Sequence, residues 1–195
     1  MIYIIQTDGV HYLYGSARVI HNDDTTYGDI GAYSKIPESE RVTIFQGRRH
    51  LNLPHELDKD TIYHTVHHTE DPVIVQWSKC HPKYKGLLLE IEQRIIDKMP
   101  YYEDAIIEVN NNKEIYPHNM YSMPGKVFIE YRNWLTWALN LVDLPHEDKV
   151  GSLLAERLFT IWMKQHEDKY QHEYVTATCY DKKTGEILNQ KDGVA

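Results

Sequence analysis

Arg48 and Arg49 stand side by side just after the apolar run Val42–Phe45, with Gly47 beside them. A guanidinium pair on a turn beyond a buried strand suits bidentate phosphate recognition. The glycine lets the backbone come close to a ligand. A diphosphate leaving group gathers negative charge as its bond breaks, and fixed positive charge there lowers the barrier. The plainer account is an arginine pair bridging surface carboxylates, and the strand context favours the ligand. A second charged pair, Glu156-Arg157, interrupts the apolar run Leu153–Met163. Such a pair must face solvent, be internally paired, or line a cleft. Lining a cleft is the functional reading. An ion pair that merely positions the helix is an equal alternative. His118-Asn119, flanked by Tyr116, Met120 and Tyr121, is a polar pair that needs partners if buried. Those partners are either backbone or a ligand. The Asn119 amide offers a donor and an acceptor, and the His118 imidazole titrates near working pH, as a general base must.

These groups need a scaffold. Ile2–Gln6 is β-branched and aromatic and ends in Thr7-Asp8-Gly9. Ligands of α/β sheets collect beyond the carboxyl ends of strands, which makes Thr7, Asp8 and Gly9 candidate nucleotide contacts; an ordinary β-turn is the competing reading. Thr25 or Thr26 is expected to cap a helix from Tyr27 to Ile36, closed by Pro37. Gly28 and Gly31 weaken that helix by roughly 1 kcal/mol each, or let it approach a strand closely. Val73–Trp77 reads as a short apolar strand. Leu87, Leu88, Ile91, Ile95 and Ile96 recur at helical spacing in a helix from Tyr84 to Met99, ended by Pro100. Residues 114–123 are expected to be extended. Apolar faces then predict helices over Lys126–Val142 and Lys149–His166. Gln171–Cys179 alternates as a strand, and Glu186–Asn189 returns as a hairpin.

At 195 residues and 42% hydrophobic, the chain is about one domain with a sizeable core. A net charge of -8 disfavours binding polyanions over the whole surface, although a local basic cleft remains compatible with it. Two distant cysteines, Cys80 and Cys179, indicate no disulfide scaffold, and a cytoplasmic setting is expected. The N-terminus lacks the features of a signal peptide, and no apolar run is long enough to span a bilayer. His55, His64, His67 and His68 lack the spacing of a metal site. Asp58-Lys59-Asp60 has the Asp-x-Asp form that holds a metal on a diphosphate, but no hydrophobic strand precedes it, so it reads as a loop coincidence.

The segment Asn119-Met120-Tyr121, the following Phe128, Tyr131 and Trp134-Leu135, and Glu156-Arg157-Leu158 resemble, in order and spacing, one family. It is the small glycosyltransferase-like domain of bacterial capsular and exopolysaccharide biosynthesis proteins, long catalogued as a domain of unknown function. The resemblance runs over roughly Tyr27 to Met163 and implies an α/β domain of the GT-A-like nucleotide-sugar transferase type, its sheet mixed but mostly parallel and flanked by helices. With the length of the chain it gives a single domain over residues 1–195, in which the alternation of residues 171–190 adds a C-terminal hairpin or strand. The resemblance also implies transfer of a sugar from a nucleotide diphosphate donor to a hydroxyl acceptor, most readily a surface-polysaccharide saccharide. Glu156 and His118 would be catalytic. Thr7, Asp8, Gly9, Arg48, Arg49, Asn119 and Arg157 would bind the donor, and His50 and Tyr121 the acceptor. Where the family reads His-Tyr-Arg-Arg-Tyr this chain has Gln46-Gly47-Arg48-Arg49-His50, which keeps the arginines and loses the histidine. A metal-independent site is preferred, with Mn²⁺ or Mg²⁺ open as an addition. Two rivals stand. One is a phage-type transferase acting on a hydroxymethylated pyrimidine in DNA, served by the basic cluster Lys79, His81, Lys83 and Lys85. The other is a sugar- or nucleotide-binding module without catalysis.

Overall fold

The computed structural model describes residues 1–6, 18–21, 26–46, 49–181 and 186–188. Ile2–Gln6 (β1) runs parallel to Arg18–His21 (β2) on one side and to Arg41–Gln46 (β3) on the other. From β3 the chain returns antiparallel as Arg49–Leu51 (β4), through the Gln46–Arg49 pair. Ile62–His64 (β5) follows, and His67–His68 (β6) pairs apart from the main sheet with Glu114–Ile115 (β7). Tyr121–Pro124 (β8) lies antiparallel between β3 and β5. His172–Tyr174 (β9) adds parallel to β5, and Ala177–Cys179 (β10) adds antiparallel to β4. Of the eight strands in the main sheet, only β4 and β8 run against the rest, so the sheet is mixed and mostly parallel.

The helices are Val73–Cys80 (α1), Lys85–Lys98 (α2), Glu103–Asn111 (α3), Gly125–Leu139 (α4) and Val150–Gln165 (α5). The sheet is covered on both faces, as the continuous apolar character of β1 and β3 requires. Val42 and Ile44 join the main core, whereas Phe45 packs with Ile4, Leu51 and Met120 in a smaller cluster on the opposite face.

Three sequence expectations change. Val73–Trp77 is helical, not a strand. Pro72 precedes the first turn, and Val73 and Trp77, four apart, share the buried face while Val75 stays 38% exposed. A short apolar run carries both periods, and packing decided between them. Residues 28–35 form a 3-10 helix entered from Tyr27, which makes no side-chain cap bond among the described residues; the Thr26 hydroxyl meets His146 Nδ1 at 2.8 Å, and Thr25 lies outside the described residues. Gly28 lets this helix approach α5, not a strand: its φ is +53°, and a Cβ there would lie 2.9 Å from Lys149 and Ser152. Finally, residues 171–179 are two strands that join different parts of the sheet; beyond them Tyr180 and Ile187 form an antiparallel bridge, and residues 182–185 and 189–190 lie outside the described residues.

One buried acid gives a stability test. Glu92 on α2 is 3% exposed and accepts Asn110 Nδ2 at 2.9 Å. Among the described residues, Glu92 Oε1 and Asn110 Oδ1 are buried and have no partner. Burial pushes the carboxyl up to about 7. A folded pKa raised this way supports the fold fully at acid pH and is lost as pH rises through 7, a swing of roughly 3 kcal/mol. Glu92→Gln is therefore expected to gain on the wild type by roughly that amount between pH 5 and pH 8, read by denaturant unfolding.

Candidate functional site

The carboxyl ends of β3, β5 and β9 and the entry to β8 lie along one edge of the sheet. The chain enters β8 through His118 and Asn119, with φ of 71° and 50°. Left-handed backbone at consecutive residues with side chains costs on the order of 1–3 kcal/mol each and must be held in place. α5 holds it. Glu156 Oε1 accepts the His118 N–H at 2.9 Å. One turn earlier, Ser152 accepts Asn119 Nδ2 through both its carbonyl and its hydroxyl, at 3.0 Å each. From the 3-10 helix, the Tyr33 hydroxyl reaches the Asn119 carbonyl at 3.4 Å. Asn119 is buried, and among the described residues its Oδ1 has no partner.

The other Glu156 oxygen takes Arg157 Nη1 at 2.8 Å. The Glu156 side chain keeps 16% of its exposure and Arg157 only 3%. Burial raises the Glu156 carboxyl above the usual range, opposed by Arg157, the His118 N–H and the positive charge of Arg49. Arg49 thus lies close enough to be felt by Glu156. It donates to Gln46 Oε1 at 3.4 Å, and Gln46 Nε2 donates to Asp29 Oδ2 at 2.6 Å. Gln46 therefore links Asp29 to Arg49. Beneath lie three enclosed phenols: Tyr121 meets Tyr33 edge-on at 6.2 Å and Tyr131 at 5.7 Å. Burial raises all three, and the Glu156 charge adds to the rise at Tyr33 and Tyr131.

The structure therefore joins Glu156 to the His118 backbone and holds Asn119 on Ser152, one turn away on the same helix, while Arg49 acts on Glu156 through its charge. Arg157 joins them only through Glu156. Its guanidinium turns to α1, donating to Gln76 Oε1 at 2.8 Å and lying 5.2 Å over the Trp77 ring. Successive helix residues point about 100° apart, so one member of the dipeptide faces the edge and the other faces α1. Tyr121 is fully enclosed and supports the floor from below. His50 is 1% exposed, between the Phe45 and Tyr180 rings; strand alternation sends it to the opposite face from Arg49. Thr7, Asp8, Gly9 and Arg48 lie outside the described residues.

Sequence reasoning did not single out Asp29, Gln46 and Ser152 as parts of this cluster. A signal for Ser152 existed, since it stands four residues before Glu156 on one helix face. Nothing in the spacing ties Asp29 to Gln46. Asp58 caps its own turn, Oδ1 accepting the N–H groups of Asp60 and Thr61 at 2.8 and 3.1 Å. It sits beside Arg41 at the start of β3, the edge away from Glu156. Among the described residues, no group of three or more His, Cys, Asp or Glu is placed to hold a metal. Cavities of about 510 and 530 Å³ lie elsewhere, between the 3-10 helix and α4 and around residues 167–173.

Residues 57–167, more than half the chain, match the family described as domain of unknown function DUF4422. The chain belongs to that family. Among solved structures, this DUF4422 chain is similar to the apo structure of the WbbM bifunctional glycosyltransferase, with a TM-score of 0.73 at 13% identity. The likeness covers 91% of this chain and 45% of that one, so the chain spans less than half of that protein's length. At this identity the match carries the fold alone: a mixed, mostly parallel sheet flanked by helices, shared with that structure. No curated protein sequence matches the chain. Among the described residues, no helix is long and apolar enough to cross a membrane.

Proposed function

We propose that this DUF4422 domain transfers a sugar from a nucleotide diphosphate donor to a saccharide hydroxyl. The observation that carries this reading is the buried Glu156 carboxylate. It is held on the His118 N–H at 2.9 Å and faces the charge of Arg49 at the sheet edge where α/β folds bind ligands. Glu156 is the base. As the anomeric C–O bond to the diphosphate breaks, the electron pair leaves with phosphate. The acceptor oxygen bonds to the anomeric carbon, and its proton passes to Glu156. Burial favours this role, since a raised carboxyl is a stronger base than a free one. Arg49, with Arg48 next in the chain, takes the charge that grows on the leaving group, which makes the reaction metal-independent. The buried Asn119 amide fixes the turn into β8 by donating to Ser152, and Arg157 positions Glu156 from behind.

Thermal shift with UDP, GDP and ADP, with and without Mn²⁺, tests the donor side, because a ligand that prefers the native state raises its melting point. At least one diphosphate is expected to stabilise the chain without metal. Arg49→Ala is expected to weaken that diphosphate about 10- to 100-fold, the worth of a hydrogen-bonded charge. Stabilisation that needs Mn²⁺ would replace the metal-independent form. A protein that binds the donor and releases no diphosphate would instead be the non-catalytic module. A saccharide acceptor is favoured over modified DNA because the basic cluster is already neutralised in part. Lys79 pairs with Asp71 at 2.6 Å, and Lys83 with Glu147 and Asp148 at 2.6 and 3.2 Å.

A further inference from the structure

Beside the candidate site stands a group of rings that the transfer chemistry does not use. His64, Tyr116, His172 and Tyr174 pack against one another. The His64 ring lies 4.1 Å from Tyr116, 5.2 Å from Tyr174 and 5.3 Å from His172. His64 is fully buried and held neutral, its imidazole pushed down to about 3 by burial. Its Nδ1 faces the Thr65 carbonyl at 3.0 Å and so must carry the proton. Nε2 is then the acceptor for His172 Nδ1 at 3.2 Å. This locked, uncharged pair supports Tyr174, which remains 50% exposed. The phenol oxygens of Tyr174 and Tyr116 meet at 3.2 Å. An outward ring is thus braced from below by three others.

Its position relates it to Glu156. Tyr121, His64 and Tyr174 form one register row across β8, β5 and β9. Two strand spacings put Tyr174 about 10 Å from the β8 entry. The Tyr116 N–H donates to Thr160 Oγ1 at 3.0 Å, and Thr160 lies one helical turn beyond Glu156. Tyr116 is in turn two residues from His118. The platform therefore flanks the reacting region at about the reach of one or two sugar rings.

We propose that Tyr174, braced by Tyr116 and the His64–His172 pair, is the stacking platform for the acceptor saccharide. This rests on the transferase reading above and names the acceptor side of that site. A pyranose has an apolar face of C–H groups and a rim of hydroxyls. The Tyr174 ring suits the face, and the paired phenols suit the rim, since each phenol both donates and accepts. An extruded base would also stack on such a ring. The surrounding charge disfavours the phosphodiester chain it comes on: Glu173 precedes Tyr174, and Glu114 and Glu167 both act on Tyr116.

The test passes labelled wild type, Tyr174→Ala and Tyr174→Phe over immobilised linear oligosaccharides and single-stranded oligonucleotides. Wild type is expected to be retained on a subset of the saccharides. Tyr174→Ala is expected to bind them at least tenfold more weakly, and Tyr174→Phe to keep most of the binding. The proposal is overturned if wild type binds no saccharide, if Tyr174→Ala binds as well as wild type, or if only the oligonucleotides show the dependence on Tyr174. The diphosphate thermal shift, read on the same three proteins, is expected to be unchanged. Its absence from all three would sink the transferase reading, while a Tyr174-dependent retention of saccharides would still leave the platform standing.

Discussion

Glu156→Gln is expected to lower sugar transfer by about 10²- to 10⁴-fold, the usual loss on removing a general base. The substitution also tests how the carboxylate is held. Its two oxygens serve two donors, the His118 N–H at 2.9 Å and Arg157 Nη1 at 2.8 Å. A carboxamide has one oxygen, so one donor loses its acceptor. Arg157, 3% exposed, then becomes an uncompensated buried charge, and breaking one side of such a pair costs about 3–5 kcal/mol. Part of any loss of activity could thus be a loss of folded protein. The double variant Glu156→Gln, Arg157→Met separates the two effects. It is expected to recover most of the stability in a denaturant melt and none of the transfer. Transfer restored in the double variant would remove Glu156 from the role of base. The pH profile gives a second check. The base must be ionised and its carboxyl is raised by burial, so the rate should climb with pH through a midpoint above the ordinary carboxylate range. The Glu156→Gln variant should lack that limb.

The largest effect on stability is expected at Gly125. A Cβ built there lies 1.5 Å from the Ser39 carbonyl oxygen and 2.7 Å from its carbon. Both are backbone atoms, so no side chain can rotate away. The same contact carries a hydrogen bond, Gly125 N–H to the Glu40 carbonyl at 2.8 Å, where α4 begins beside the start of β3. Gly125→Ala must therefore push apart the central strand and a helix of the core. A loss above about 4 kcal/mol is expected, near the whole stability of a marginal domain. The measurement is the urea midpoint beside a control, Gly86→Ala on α2, where a Cβ meets nothing within 4 Å. The control is expected to gain up to about 1 kcal/mol from helix propensity. Equal midpoints for the two variants would show that residues 39 and 125 do not meet as described.

The contrast between these glycines bears on what could be read beforehand. Nothing local separates Gly86 from Gly125; only the approach of Ser39, far away in the chain, does. The long helices were legible for the opposite reason. α2, α4 and α5 repeat an apolar face over three or more turns, and their ends agree with the sequence reading to within a few residues. α1 was not legible, because eight residues are too short for one period to exclude the other, and the burial of Trp77 against the main core settled it. Likewise residues 171–179 alternate as one strand, while the available edges of β5 and β4 divided them in two.

The candidate site divides along the same line. From the sequence alone came the chemistry: arginines after a strand, a charged dipeptide within an apolar helix, and a polar pair at the entry to an extended segment. Tertiary structure decided which of them meet. Helix pitch turned Glu156 to the sheet edge and Arg157 to α1, strand alternation separated Arg49 from His50, and a contact across 38 residues tied the His118 N–H to Glu156. Residue type and local period are properties of short segments, which a sequence displays. Which surfaces touch follows from packing the whole chain, where each contact depends on segments distant in sequence.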